Sequence, residues 1–239
     1  MSHRLLTLAM VPAFIAMTAC AMARTIEFSG QTWRVRGHDG GPGPNHWSDA
    51  EESVWVDAQG LHLKIRPIAG VWHCAEVSAV APASPGLYRF QIASRVDQLD
   101  PNVVASPFLY KDDAHEIDIE FSRWQKAGEP NAQFVVQPYF LRGHRERFDV
   151  QLAEPAFTCY FDWKADAVHF GAYPGFGAAP ASGAPGFREW SYTGSSIVPG
   201  QDEAHLDLNL WLIKGQAPTD GKEVEFIVKS IEVPSPASR

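Results

Sequence analysis

What most constrains this chain is the lack of any sustained helical period. Eighteen prolines and nineteen glycines punctuate it, and no window long enough for a surface helix keeps an apolar i, i+3, i+4 pattern. Short alternating runs recur instead. "VWVDAQGLHLKI" (54–65) reads as two strands about an Ala-Gln-Gly turn, and "GLYRFQIASRV" (86–96) as another. "NAQFVVQPYF" (131–140), "FTCYFDW" (157–163), "AVHFGAY" (167–173), "AHLDLNLWLI" (204–213) and "EVEFIVKSIEV" (223–233) follow. Many short strands with polar turns and no helical crossovers predict an all-β fold, an antiparallel sandwich or barrel. "YPGFGAAPASGAPGF" (173–187) is expected to be a long surface loop inside one domain, because strand-like segments continue after it.

The first 23 residues read differently. Arg4 is followed by an apolar run from Leu5 to Ala19, interrupted by Pro12, and then by Ala21-Met22-Ala23. The run is too short for a membrane span and has the form of a secretory signal. Cleavage after Ala23 leaves a single domain over 24–239. "MTAC" (17–20) also resembles a bacterial lipoprotein box, which would leave a lipidated Cys20. Ordinary cleavage before Arg24 is preferred because such a box usually carries leucine where Met17 stands. Either way the protein is expected to be exported, to the periplasm or beyond, with no transmembrane span.

Arg4 is the only formal charge in that leader, so its loss takes the net charge from −8 to −9. This balance argues against a nucleic-acid partner or an anionic membrane surface and suits a neutral polymer. Cys74 and Cys159 lie 85 residues apart in strand-like stretches and form no zinc signature. An exported location permits a bridge between them, but buried free thiols are the preferred reading.

The chemistry is concentrated in "AHEIDIEFSRW" (114–124). In a strand, Ile117, Ile119 and Phe121 point one way and Glu116, Asp118 and Glu120 the other. His115 and Glu116 then fall on opposite faces, and Ile119 stands where a His-Glu-x-x-His zinc motif needs its second histidine. A solvated strand face would explain alternating acids, yet such a face normally mixes signs. Three like charges in a row raise one another's pKa, a penalty characteristic of functional sites. The Cα atoms of Glu116 and Glu120 should be about 13 Å apart along the strand. On a concave sheet their carboxyl groups can converge toward the roughly 5–5.5 Å that suits a retaining glycosidase, with Asp118 hydrogen-bonding one neighbour and holding the two glutamates in different protonation states.

"EIDIEF" resembles the Glu-x-Asp-x-Glu signature of glycoside hydrolase family 16, the laminarinase and lichenase group. Further landmarks come in that family's order: "WHCAEV" with Glu76, "GLYRFQI", "FTCYFDWKADAVHF" and "LNLW" (208–211). The resemblance covers about 26–234. It implies a concanavalin-like jelly roll of two curved sheets, with Glu116 as nucleophile, Glu120 as general acid/base, Asp118 as the assisting acid and Glu76 facing the cleft. Two departures stand out. "SPFLYKDD" lacks the tryptophan common in that position, and no N-terminal cysteine is present to pair with Cys74.

Alternation extends the candidate site. His205, Asp207, Asn209 and Trp211 share one face of "HLDLNLWLI" while four leucines share the other, which marks Asn209 and Trp211 as candidate sugar contacts. Gln133 and Gln137 share a face in "NAQFVVQ". Asn45 and Trp47 are candidates for a cleft edge, and Trp124 directly follows the acid strand. Aromatic rings with amide partners fit a glycan groove. The reading is therefore a monomeric retaining glycosidase on a β-linked glucan or galactan, with no cofactor and no metal at the site. A transglycosylase or a non-catalytic carbohydrate-binding jelly roll is the alternative. Calcium held by the acids is disfavoured, since one strand face supplies too few oxygens; a structural calcium ion elsewhere is compatible with the sequence.

Overall fold

A computed structural model of the chain describes residues 23–126, 128–194 and 204–234. The leader, with Arg4 and Cys20, lies outside the described residues. The strands are β1 (Thr25–Phe28), β2 (Gln31–Val35), β3 (His46–Trp47), β4 (Val54–Asp57), β5 (Gly60–Ile68), β6 (Val71–Pro82), β7 (Gly86–Ile92) and β8 (Val103–Asp112). They continue as β9 (His115–Phe121), β10 (Ala132–Val136), β11 (Arg145–Phe148), β12 (Phe157–Trp163), β13 (Val168–Pro174), β14 (Arg188–Tyr192), β15 (His205–Leu212) and β16 (Val224–Glu232). Among the described residues helix is confined to two single 3₁₀ turns, Val96–Gln98 and Ile213–Gly215. Among the described residues no helix is long and apolar enough to cross a membrane.

Two antiparallel sheets form. One runs β1-β2-β6-β15-β8-β9-β10-β11. The other runs β4-β5-β16-β7-β12-β13-β14. The β5–β6 hairpin joins them, its pairs running from Arg66↔His73 to Ile68↔Val71. Its two-residue loop has positive φ at both Ala69 and Gly70, the primed geometry whose twist matches the flanking strands. Gly60, at the β4–β5 turn, is required twice over. Its φ is +140°, and a Cβ there would lie 2.2 Å from the Val228 carbonyl oxygen.

Alternation fills the space between the layers. Ile117, Ile119, Phe121, Leu206, Leu208, Leu210 and Leu212 enter it from the first sheet, and Leu61, Leu63, Phe90, Phe161 and Phe226 from the second. Aromatic rings close the gap: Phe134 on β10 stacks on Phe170 of β13 at 5.0 Å, and Phe121 on β9 meets Phe157 of β12 edge-on at 5.6 Å. Each such side chain stabilises the fold by about 1.5–3 kcal/mol on burial. This is an antiparallel sandwich, as the alternating runs predict, and the jelly roll that the family resemblance implies; the 173–187 stretch ends β13 and supplies the β13–β14 connection. Cys74 and Cys159 are both free and buried, on β6 and β12. Burial pushes the Cys74 thiol to about 12 and raises Cys159 as well, so both are unreactive.

Candidate functional site

The hairpin before β9 aims the acids. Asp112 Oδ1 accepts from the Ala114 backbone N–H at 3.0 Å and faces His115 Nδ1 at 2.7 Å, fixing the turn that delivers Glu116. Ile117, Ile119 and Phe121 then enter the core, so Glu116, Asp118 and Glu120 occupy the opposite face of the sheet. That face is not open to solvent. Glu116 and Glu120 are half-buried and Asp118 is only 3% exposed, which rules out an ordinary solvated strand.

Register extends each acid into a row, because directly opposed residues share a face. One row runs Glu76↔Asn209↔Ser106. It continues past β8 through Glu120↔Gln133↔Arg147. The next runs Ser78↔Asp207↔Phe108↔Asp118↔Val135↔Arg145. Val104, Phe108 and Val135 are buried yet stand outside the interlayer core; they form the apolar floor between the polar positions.

The side chains interlock along these rows. Gln133 Nε2 donates to Glu120 Oε2, while Gln133 Oε1 accepts from Arg147 Nε at 3.0 Å. Arg147 also pairs with Glu129 at 2.6 Å, its guanidinium lying 4.4 Å from the Trp124 ring centre. Gln137 Nε2 reaches Asp118 Oδ2 at 3.5 Å. On the other flank Arg36 pairs with Glu76 at 3.0 Å and covers the Trp47 ring at 4.2 Å.

These contacts set the protonation order. Burial pushes Glu116 up to about 7; a hydrogen bond from Asp118 opposes the shift, and the charges of Glu120, Asp113 and Glu76 add to it. Asp118 is raised well above the ordinary range, first by burial and then by the charge of Glu116, to which it donates. Glu120 is raised by burial, against the pull of Gln133, Arg147 and Arg145. Burial therefore leads repulsion between neighbours as the cause, because the two arginines temper the negative field at Glu120. Asp118 turns its proton toward Glu116. Glu76 is also raised by burial, held back by Arg36 and Asn209.

The structure gathers Glu76, Asn209, Gln133, Gln137 and the three acids on one face, with Trp211 half-buried further along β15 opposite Val104. Two other expected contacts are corrected. Asn45 is 3% exposed and braces the backbone, donating to the carbonyls of Leu212 (2.9 Å) and Pro42 (2.7 Å). Trp47 is likewise buried in the core, its indole N–H on the Gly40 carbonyl at 3.0 Å. Trp124 is half-buried, with the Arg147 guanidinium over its ring. Arg36, Arg147 and Asp207 were missed; for Arg147 the odd-position parity shared with Gln133 across the β10–β11 hairpin was the available signal. Tyr139, Phe140 and Leu141 project into solvent from the loop after Gln137. A separate hollow, lined by Phe148, Phe157, Pro174 and Arg188 among others, contains none of the acids. No group of three or more His, Cys, Asp or Glu among the described residues is placed to hold a metal ion.

Solved structures share this arrangement of strands. The β-glucanase of Bacillus licheniformis superposes with a TM-score of 0.62 at 18% identity, over 85% of this chain and 92% of that one. The fold is that of β-glucanases. A glycosyl hydrolase family 16 protein of Mycobacterium smegmatis gives 0.59 at 15% identity, over 83% of this chain and 90% of its own. A Mycobacterium tuberculosis protein described as an immunostimulatory antigen and pseudo β-1,3-glucanase gives 0.59 at 17%, over 85% and 91%. No family model and no curated protein sequence matches the chain.

Proposed function

We propose that the chain is an exported retaining glycosidase that cleaves a β-linked polysaccharide, a β-glucan or galactan, in the groove over β6, β15, β8, β9 and β10. The observation that carries this is the acid row: Glu116 and Glu120 half-buried on one face, with a proton-bearing Asp118 between them and Gln133 gripping Glu120. In the first step Glu120 gives its proton to the glycosidic oxygen as Glu116 attacks the anomeric carbon and the leaving sugar departs. In the second, Glu120 takes a proton from water, the water oxygen bonds to the anomeric carbon, and Glu116 is released as a carboxylate. Asp118's hydrogen bond favours the ionised Glu116 that the attack requires. The same residues perform transglycosylation when a sugar hydroxyl replaces the water.

Release of reducing ends from laminarin, lichenan, agarose and xyloglucan tests the reading; no release from any of them would overturn hydrolysis. A second reading, a polysaccharide-binding protein without turnover, is favoured by one observation: a pseudo-glucanase shares the fold. The intact acid row supports catalysis over it. Export is tested by the mass of the secreted chain, which should begin at Arg24; a diacylglyceryl group on Cys20 would replace a free protein with an anchored one.

Trp211→Ala is expected to weaken glucan binding by about tenfold with only a small fall in the thermal midpoint, because its half-buried ring packs against the edge of the core rather than filling it. The core side of its strand is supplied by Leu208, Leu210 and Leu212, and a lost ring contact of about 1–1.5 kcal/mol corresponds to that factor. A large fall in the midpoint with unaltered affinity would make Trp211 a packing residue.

A further inference from the structure

The amide that grips Glu120 has its direction set from behind. A primary amide is nearly symmetric, so either its NH₂ or its carbonyl could face a carboxyl group. In Gln133, which is 4% exposed, Arg147 Nε lies 3.0 Å from Oε1. A guanidinium only donates, so the amide oxygen turns to Arg147 and the NH₂ turns to Glu120 Oε2. Glu120 therefore receives a donor on Oε2 in both protonation states, and its own proton belongs on Oε1.

Arg147 is itself fixed on three sides. Nη1 pairs with Glu129 at 2.6 Å, Nε is on Gln133, and the Trp124 ring centre lies 4.4 Å from the guanidinium carbon. The ring is held there against backbone preference. Trp124 and Gln125 are consecutive non-glycine residues with φ of +46° and +59°, a region where a bulky residue is an outlier. The Trp124 N–H donates to Ser122 Oγ and the Gln125 N–H to the Pro101 carbonyl, both at 3.0 Å. Gln125 Nε2 donates to Asn102 Oδ1 at 2.9 Å and to Gln216 Oε1 at 2.6 Å. Backbone strain pinned by its surroundings is characteristic of functional sites, and what this turn delivers is the ring beneath Arg147.

The groups facing Glu120 define what Arg147 changes. Glu116 and Asp118 flank it along β9, Arg145 joins Arg147 on β11, and Ser106 on β8 is uncharged. Burial raises Glu120, and Gln133, Arg147 and Arg145 oppose that shift. Without Arg147 one positive charge is gone and the amide is free to turn over. Its carbonyl would then accept the Glu120 proton and hold it away from the glycosidic oxygen. Both changes favour the protonated acid.

We propose that Arg147 is a positioning residue: by fixing the Gln133 amide it directs the Glu120 proton to the oxygen that meets the leaving group, while Trp124 and Glu129 hold the guanidinium in place. This rests on the glycosidase reading for the part that Glu120 plays.

The test uses the full secreted chain with Arg147→Ala, Arg147→Lys and Trp124→Gly, the last keeping the left-handed turn while removing the ring. The Glu120 carboxyl is titrated by ¹³C NMR, its signal assigned from Glu120→Gln. In parallel, kcat and KM are followed against pH on laminarin, lichenan, agarose and xyloglucan. In Arg147→Ala the Glu120 titration and the descending limb of the rate profile should both move up by about one pH unit, as for one lost opposite charge nearby. At the parent's optimum kcat should fall by up to about a hundredfold, as for a misplaced catalytic group, with KM nearly unchanged. Arg147→Lys keeps the charge and a donor and should recover most of both, and Trp124→Gly should shift the titration the same way by less. In a Gln133→Ala background, Arg147→Ala should lower kcat little further, since the two act as one unit. An unmoved Glu120 titration in Arg147→Ala, or an undiminished loss of kcat in the Gln133→Ala background, overturns the inference and leaves the glycosidase reading standing. If Arg147→Ala does not fold, an unmoved titration in Trp124→Gly does the same. A shifted titration in a chain that turns over none of the four polymers keeps the link from Arg147 to Glu120 and overturns the glycosidase reading.

Discussion

Glu116→Gln and Glu120→Gln are each expected to lower turnover by orders of magnitude while the chain folds and binds oligosaccharide as before. Loss of Glu116 removes the group that forms the covalent intermediate, so it should be the more severe change. Loss of Glu120 removes general acid and base assistance, typically about 10²–10⁴-fold. Thermal stability should be unchanged or improved in both variants, because a neutral amide replaces a half-buried acid whose ionised form is disfavoured by burial and by its neighbours. Proton NMR of the first-formed product from a β-linked substrate should show the β-anomer. An initial α-anomer would exclude double displacement, and full activity in either variant would return the acid row to an inert surface.

Activity is also expected to collapse on the acid side of pH 5, where an ordinary carboxylate would still be largely ionised. Burial holds Glu116 up to about 7 and raises its hydrogen-bonding neighbour Asp118 as well, so Glu116 carries little charge there and no nucleophile is available. The ascending limb belongs to the coupled Glu116–Asp118 pair and the descending limb to loss of the Glu120 proton. Stability should follow the same groups with the opposite slope to that of most proteins. Each has a folded pKa raised above its unfolded value, near 4, so the native state holds more protons than the unfolded chain in between. The resulting stabilisation is complete below about pH 4 and is lost as the pH climbs through about 7 for Glu116 and about 8 for Asp207. The thermal midpoint should therefore fall between pH 5 and 8, and less steeply in Glu116→Gln. An ascending limb centred near pH 4, or a midpoint rising over that interval, would contradict the burial of these acids.

Much of this was legible because a period of two is local information. Alternation alone separates Ile117, Ile119 and Phe121 from the acids, and the leucines of β15 from Asp207, Asn209 and Trp211. What alternation cannot supply is which strand lies beside which. Arg147 reaches Glu120 through Gln133, and Arg36 reaches Glu76, only because β11 and β2 flank the sheet on either side; neither strand has a run long enough to stand out. Strand β8 was obscured by Pro107, a residue unusual in a central strand, although it lies between β15 and β9. The tryptophans show the same limit. Trp47 and Trp211 both occur beside polar residues in the sequence, yet tertiary packing buries one beneath Arg36 and leaves the other half-buried on the acid face.

The tight turn at Asp112–His115 is, in effect, the reading frame of the site. Seven consecutive residues of β9 encode two unrelated texts, a core and a row of acids, interleaved letter by letter. Inserting or deleting one residue in that turn would exchange them, sending three carboxyl groups between the sheets and two isoleucines and a phenylalanine into the groove. Point substitutions in β9 can change one text at a time. A single-residue change in length would rewrite both, so this turn is where the chain can least tolerate drift in its own length.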